Sequence, residues 1–230
     1  MEQYLRPTQI IDSDNKMIQE TARSLTEGQP TAKDRAKSLF YFVRDEIRYN
    51  YYLRAFLPEH FLASAILARR EGLCLMKAVL IAALARAIGM PARLRVAIVR
   101  NHLAPERVSD RINLGSNLFV THGYSELYID GKWVKVAPVF DPELCQEKRL
   151  VQVEFDGVYD ALLPSHDQNG NRYIEYVDDR GIFDDLPLDD LNRWRIEAYG
   201  PEYFERVDQA IEERKERFPQ DRLRYWTNTV

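Results

Sequence analysis

Residues 71–93 read EGLCLMKAVLIAALARAIGMPAR, and the fold is decided here. Gly72 lets the chain turn sharply into a helix that opens at Cys74. From Cys74 to Ile88 nearly every position is apolar, so the helix has no face for water and belongs in the middle of a domain. Gly89 closes it as a C-cap, and Pro91 forbids its continuation. A thiol at the first residue of such a helix meets unpaired backbone N–H groups and the positive end of the helix dipole, which both favour thiolate. Cys74 is therefore a candidate nucleophile, set against the commoner role of a buried cysteine as packing.

Upstream, Thr31 caps a helix, with Asp34 three residues later. Leu39, Phe40, Phe42, Val43 and Ile47 recur at helical spacing. An aromatic cluster, Tyr49 to Tyr52, follows. A second helix is expected over 59–70, ending at Gly72. Residues 1–30, rich in Asp and Asn, read as an irregular segment.

Downstream of Pro91 the period switches to two. Leu94, Val96 and Ile98 define one face of a strand, with Arg93, Arg95 and Arg100 outside that set. Residues 100–116 read as a long loop. Strands over 118–129 and 132–139 form a hairpin, because Asp130-Gly131 is a strong two-residue turn signal. Further strands are expected over 150–155 and 172–177, and helices over 188–198 and 201–217. Helices first and antiparallel strands afterwards make an α+β fold. The expected division is a catalytic domain over 31–185 and a helical extension over 186–230.

Composition narrows the function. The 36 acidic and 32 basic residues give a net charge of -4, without the basic stripe that nucleic acid requires. The apolar run from Ala78 to Ala85 is too short to span a bilayer, so no membrane partner is expected. The first residues lack a secretory signal, and two cysteines without paired spacing suit a reducing cytoplasm better than a disulfide or zinc scaffold. His60, His102 and His166 lack metal-ligand spacing, and Asp184-Asp185 with Asp189-Asp190 lack a calcium loop, so neither metal nor cofactor is expected. Cys145 reads as a buried structural thiol.

His122 stands in the strand FVTHGYSELY, where His122, Tyr124, Glu126 and Tyr128 share one side. The ordered set Gly72, Cys74, Gly89, Pro91, Ala92, Arg93, His122, Tyr124, Glu126, Gly131 and Trp133 resembles the core of the transglutaminase-like superfamily. In that family a G-x-C motif opens the central helix, a G-I-P-A-R-like segment follows, and H-x-(aromatic)-x-E leads through a turn to a tryptophan strand. The resemblance covers about 31–142. It implies a papain-like core, with the Cys helix packed on an antiparallel sheet. It also implies Cys74 as nucleophile, His122 as base, and backbone N–H groups around Cys74 as oxyanion donors.

The pattern departs from the family at Ala137, four residues after Trp133, where the family has an Asp that orients the histidine. In a two-residue hairpin Ile129 faces Lys132, so His122 faces Val139 and has Ala137 and Asp141 as diagonal neighbours. Asp141 is thus the candidate substitute. Glu126, four residues along, is instead read as an ion-pair partner. The segments 137–145, 153–157 and 173–181 are similar to a group of bacterial transglutaminase-like proteins with P-x-F-(N/D) in place of Asp-Pro. The expected function is a cysteine hydrolase acting on a peptide or small amide. Acyl transfer to an amine, acyl transfer from a thioester donor, and a binding module on a degenerate core are the alternatives.

Overall fold

Asn15 Oδ1 accepts the Met17 N–H at 2.9 Å and starts helix α1 (Lys16–Thr26). The computed structural model describes residues 1–103 and 116–217. It corrects the expectation that 1–30 is irregular, since Ile10, Ile11, Ile18 and Ala22 of that segment are buried in the core. Ile18, Ala22 and Leu25 recur at helical spacing on one face of α1, a pattern already present in the sequence. Helix α2 (Ala32–Glu46) is capped as expected, with the Asp34 N–H donating to Thr31 Oγ1 at 3.1 Å.

Two short parallel strands, β1 (Arg48–Tyr49) and β2 (Glu71–Gly72), lead into the central helix. Between them the helix expected over 59–70 is divided into a 3-10 turn at Pro58–His60 and helix α3 (Ala63–Arg69). Arg70 ends α3 in the left-handed conformation, φ 58°, before Gly72 is reached.

Helix α4 (Cys74–Ala87) is buried at every position from Leu75 to Arg86. It packs against α1, α2 and α3 on one side and the sheet on the other. Each fully buried Leu, Ile or Val there contributes about 2 kcal/mol. Lys77 is buried without loss of hydrogen bonds. Its Nζ donates to the carbonyls of Arg44 (3.1 Å) and Ile47 (2.6 Å), which the end of α2 leaves unpaired. Burial pulls its ammonium down to about 7.

The sheet comprises β3 (Ala92–Asn101), β4 (Leu118–Ile129), β5 (Lys132–Val136) and, after helix α5 (Pro142–Lys148), β6 (Ile174–Phe183). The order is β5-β4-β3-β6, antiparallel throughout. Asp130 (φ 48°) and Gly131 (φ 88°) form the turn between β4 and β5. The register is the expected one, Ile129↔Lys132 through Ser125↔Val136. The ladder then stops three residues short of the expected Val139. The Ala137 N–H turns away to the Ala161 carbonyl at 2.8 Å, and Pro138 has no N–H to donate.

Residues 150–155 are not a strand. Leu150, Val153 and Phe155 are buried, but α2 side chains satisfy the backbone: Arg44 donates to the Val153 carbonyl (2.8 Å), and the Tyr41 hydroxyl donates to the Phe155 carbonyl (3.1 Å). Helices α6 (Leu188–Tyr199) and α7 (Tyr203–Arg217) end the described chain. α6 packs on β4, and Val207 and Ile211 of α7 close over Tyr52. Most of the expected loop over 100–116 lies outside the described residues. Among the described residues no helix is long and apolar enough to cross a membrane.

Candidate active site

Gly123 brings the two candidate residues together. A Cβ there would lie 2.3 Å from Leu75 Cδ2 and 2.9 Å from Leu75 Cα, so only glycine lets β4 lie against the first turn of α4. The next residue back on β4 is His122, and the residue before Leu75 is Cys74.

The early end of β5 has a consequence for this edge of β4. Beyond Ser125 no β5 residue pairs with it, and other elements take its backbone groups. The Tyr199 hydroxyl accepts the Val120 N–H (3.0 Å) and donates to the Leu118 carbonyl (2.8 Å). Gly123 itself lies against the first turn of α4, where its N–H lowers the Cys74 pKa.

Cys74 is a free, half-buried thiol. Burial pushes its pKa up. The N–H groups of Gly123 and Leu75, the Arg195 guanidinium and the Tyr49 hydroxyl pull the other way, and the net direction is upward. Cys74 and His122 line one cavity of about 140 Å3, whose walls are mostly apolar. Among the described residues no hydrogen bond joins the two in this state.

His122 is buried, and burial alone pulls its imidazole down to about 4, so the ring is neutral near pH 7. Its Nε2 lies 3.2 Å from the Tyr176 hydroxyl on β6, and the two rings meet edge to face at 5.6 Å. The Leu163 N–H donates to the same hydroxyl at 3.3 Å, which fixes the phenol. When Nε2–H donates to the Tyr176 oxygen, Nδ1 keeps a free lone pair.

Asp141 is used elsewhere. Its Oδ1 accepts the Leu144 N–H at 3.0 Å as the N-cap of α5, and its Oδ2 accepts the Tyr49 N–H at 2.8 Å. The hydrogen bonds do not join it to His122, whose side-chain partner is Tyr176. The reason is local: the ladder that would carry Val139 and Asp141 past His122 ends at Val136. Ala137 is fully buried and supplies no acid. Glu126 is an ion-pair partner, 2.5 Å from Arg93 Nε. Cys145 is buried in α5 outside the cavity, and burial together with Asp141 pushes its thiol up to about 11.

His60 Nδ1 accepts the Leu57 N–H, and His102 meets Glu175. Among the described residues no group of three His, Cys, Asp or Glu side chains suits a metal ion. The sequence reading passed over Tyr49, Tyr176 and Arg195, because nothing in a sequence marks which tyrosine or arginine faces a cavity. Gly123 did carry a signal, since a glycine inside a strand marks a close backbone approach.

The family model of the transglutaminase-like superfamily matches residues 19–138, more than half of the chain, and takes in both Cys74 and His122. No curated protein is significantly similar to the chain. Two solved structures are similar to it. One, from Cytophaga hutchinsonii, is described as a putative cysteine protease. It has 17% identity and a TM-score of 0.45, and the match covers 78% of this chain and 52% of that one. The other, from Parabacteroides distasonis, is described as a putative protease. It has 13% identity and a TM-score of 0.36, and the match covers 56% of this chain and 26% of that one. The chain thus spans about half the length of the first and a quarter of the second.

Proposed function

The chain belongs to the transglutaminase-like superfamily, and from that premise we propose that it is a cysteine-dependent amide hydrolase with Cys74 as nucleophile and His122 as base. One observation carries this reading: both side chains line one cavity, Cys74 from the first residue of α4 and His122 from β4 beside it.

Cys74 Sγ bonds to the carbonyl carbon as the thiol proton passes to His122 Nδ1. Tyr176 holds Nε2–H meanwhile. The oxyanion forms beside the first turn of α4, where the Cys74 N–H has no intrahelical partner. The C–N bond then breaks, and the imidazolium returns its proton to the leaving amine. Water, giving its proton to His122, cleaves the acyl-enzyme to the carboxylic acid and the free thiol.

A neutral hydroxyl in place of an acid alters the resting state. With Cys74 raised and His122 lowered to about 4, the thiol–imidazole pair is neutral, and proton transfer accompanies attack. Fast alkylation well below pH 8.5, the mark of a thiolate–imidazolium pair, is therefore not expected.

The test uses p-nitrophenyl phenylacetate, an activated acyl donor with an apolar body. We expect a burst of p-nitrophenol and a phenylacetyl group on the Cys74 peptide, followed by steady hydrolysis. Cys74→Ala abolishes acylation, and His122→Ala slows it by about 10²–10³. Tyr176→Phe lowers kcat about tenfold with little change in KM, the loss expected when the ring is no longer held. Acylation confined to Cys145, or none, would overturn the proposal and favour a binding module. Diversion of the acyl group to added glycine ethyl ester in preference to water would favour acyl transfer.

A further inference from the structure

Arg195 reaches the same cavity from α6, and the chemistry above gives it no substrate group to hold. The residue is 4% exposed, so its guanidinium is a desolvated cation. Nε donates to Thr121 Oγ1 at 3.1 Å. One terminal nitrogen donates to the Ala55 carbonyl and, at 3.4 Å, to Asn192 Oδ1. All three acceptors are uncharged. Among the described residues no carboxylate pairs with Arg195, whereas Arg44, Arg93 and Arg95 each have one. Arg86, equally buried, also lacks a carboxylate, but each of its three guanidinium nitrogens donates to a backbone carbonyl.

A buried cation without an anion is costly, and more so where one of its nitrogens also lacks an acceptor. The second terminal nitrogen has no protein acceptor among the described residues and is not sealed off. Apart from the uncharged Asn101 and Thr121, the rest of the wall is mainly apolar or aromatic, with Tyr49, Phe119, Phe140, Leu163 and Ile174. One fixed cation in an apolar cavity recognises a molecule with one anionic group and an apolar body.

We propose that Arg195 determines specificity by taking a free carboxylate of the amide substrate, whose apolar or aromatic body fills the cavity beside Cys74. The chemistry is that of an amide next to a carboxylate, found at the C-terminal residue of a peptide and in an N-acyl amino acid. The proposal rests on Cys74 being the reacting group. Arg195 and Cys74 line the same cavity, which places the carboxylate and the scissile bond in one small space. Charge-assisted bonds in such a dry site are the strong ones.

Iodoacetate and iodoacetamide test this without the substrate, because they differ only in carboxylate against carboxamide. Their rates at Cys74 are read by peptide mapping on the full chain, with glutathione as the reference thiol. The ratio of the two rates cancels the thiolate fraction. We expect iodoacetate to be favoured at Cys74 about tenfold or more over the glutathione ratio. Arg195→Gln should return the ratio to that of glutathione, and Arg195→Lys should keep part of the preference. In the wild type, N-benzoylglycine should protect Cys74 from iodoacetamide and its amide should not, a contrast that decides even if Arg195→Gln fails to fold. Acetyl-alanyl-phenylalanine with a free or amidated C-terminus tests the peptide source in the same way. Protection by either free acid alone supports the proposal and identifies its source. A glutathione-like ratio at a reactive Cys74, with equal protection by acids and amides, makes Arg195 a structural clamp and leaves the hydrolase standing. Inertness of Cys74 to both reagents overturns the proposal and the hydrolase reading together.

Discussion

The chain has two cysteines, one half-buried and one buried, both with a raised pKa, yet their surroundings differ. Cys145 lies one turn into α5, where Asp141 and Asp45 add to the effect of burial against Arg44 and Lys77. Cys74 opens α4 among the N–H groups of Gly123 and Leu75, the Tyr49 hydroxyl and the Arg195 guanidinium, all of which offset burial. The polar groups around Cys145 are satisfied locally: Asp141 by two backbone N–H groups, and nearby Lys77 by two carbonyls. Around Cys74 the cation has no anion and the histidine has no acid. The lesson is that burial alone does not separate the two thiols. What separates Cys74 is that every polar group acting on it favours thiolate, beside a cation that no carboxylate answers.

Below neutral pH the loss of stability should come from the Cys74 side. His122 has a folded pKa of about 4 against 6.5 for a free histidine. The unfolded chain binds more protons between those values, so stability is full above pH 6.5 and declines as pH falls toward 4. The loss is about 3 kcal/mol at pH 4. Denaturant midpoints measured from pH 7.5 to 4 check this. His122→Gln should flatten that arm, and an unchanged slope would remove the buried neutral imidazole from the account. Lys77, beside Cys145, has its window higher, between about 7 and 10.5, so the two regions separate on the pH axis.

The contact between β4 and α4 comes next in size. Gly123→Ala forces a methyl group against Leu75, including its backbone, and should cost about 2 kcal/mol. It should also remove acylation at Cys74, because the Gly123 N–H no longer reaches Sγ. Thermal unfolding and phenylacetyl labelling measured on one preparation check both effects. Normal labelling in a destabilised variant would show that the close approach serves only packing.

The smallest effect is expected on the other thiol. Cys145→Ala should cost about 1 kcal/mol for the lost sulfur contact and leave acylation within about twofold of the wild type. A larger kinetic loss would mean that the Asp141 region reaches the cavity through Tyr49, whose N–H Asp141 holds.

Much of the scaffold was legible because it rests on short-range patterns. The apolar run of α4, the Thr31 cap, the Asp130-Gly131 turn and the β4–β5 register follow from adjacent residues, and all four are present. Residues 150–155 misled because buried apolar residues look like a strand whatever partners their backbone finds, and here the partners are Tyr41 and Arg44. Helix α1 was legible too: Asn15 caps it and Ile18, Ala22 and Leu25 keep a helical period, which the polar composition of residues 1–30 obscures.

The sequence by itself determined the α+β class, the family pattern, and Cys74 and His122 as its two candidate residues. Those depend on local turns, caps and spacing. Only the tertiary structure decided what surrounds them. Extending the hairpin pointed to Asp141, but the ladder ends at Val136 and Asp141 caps a helix instead. Tyr176 comes to His122 from 54 residues away, and Arg195 comes to Thr121 from 74. Contacts of that range are set by how sheet and helices close on one another, and no residue's immediate neighbours encode them.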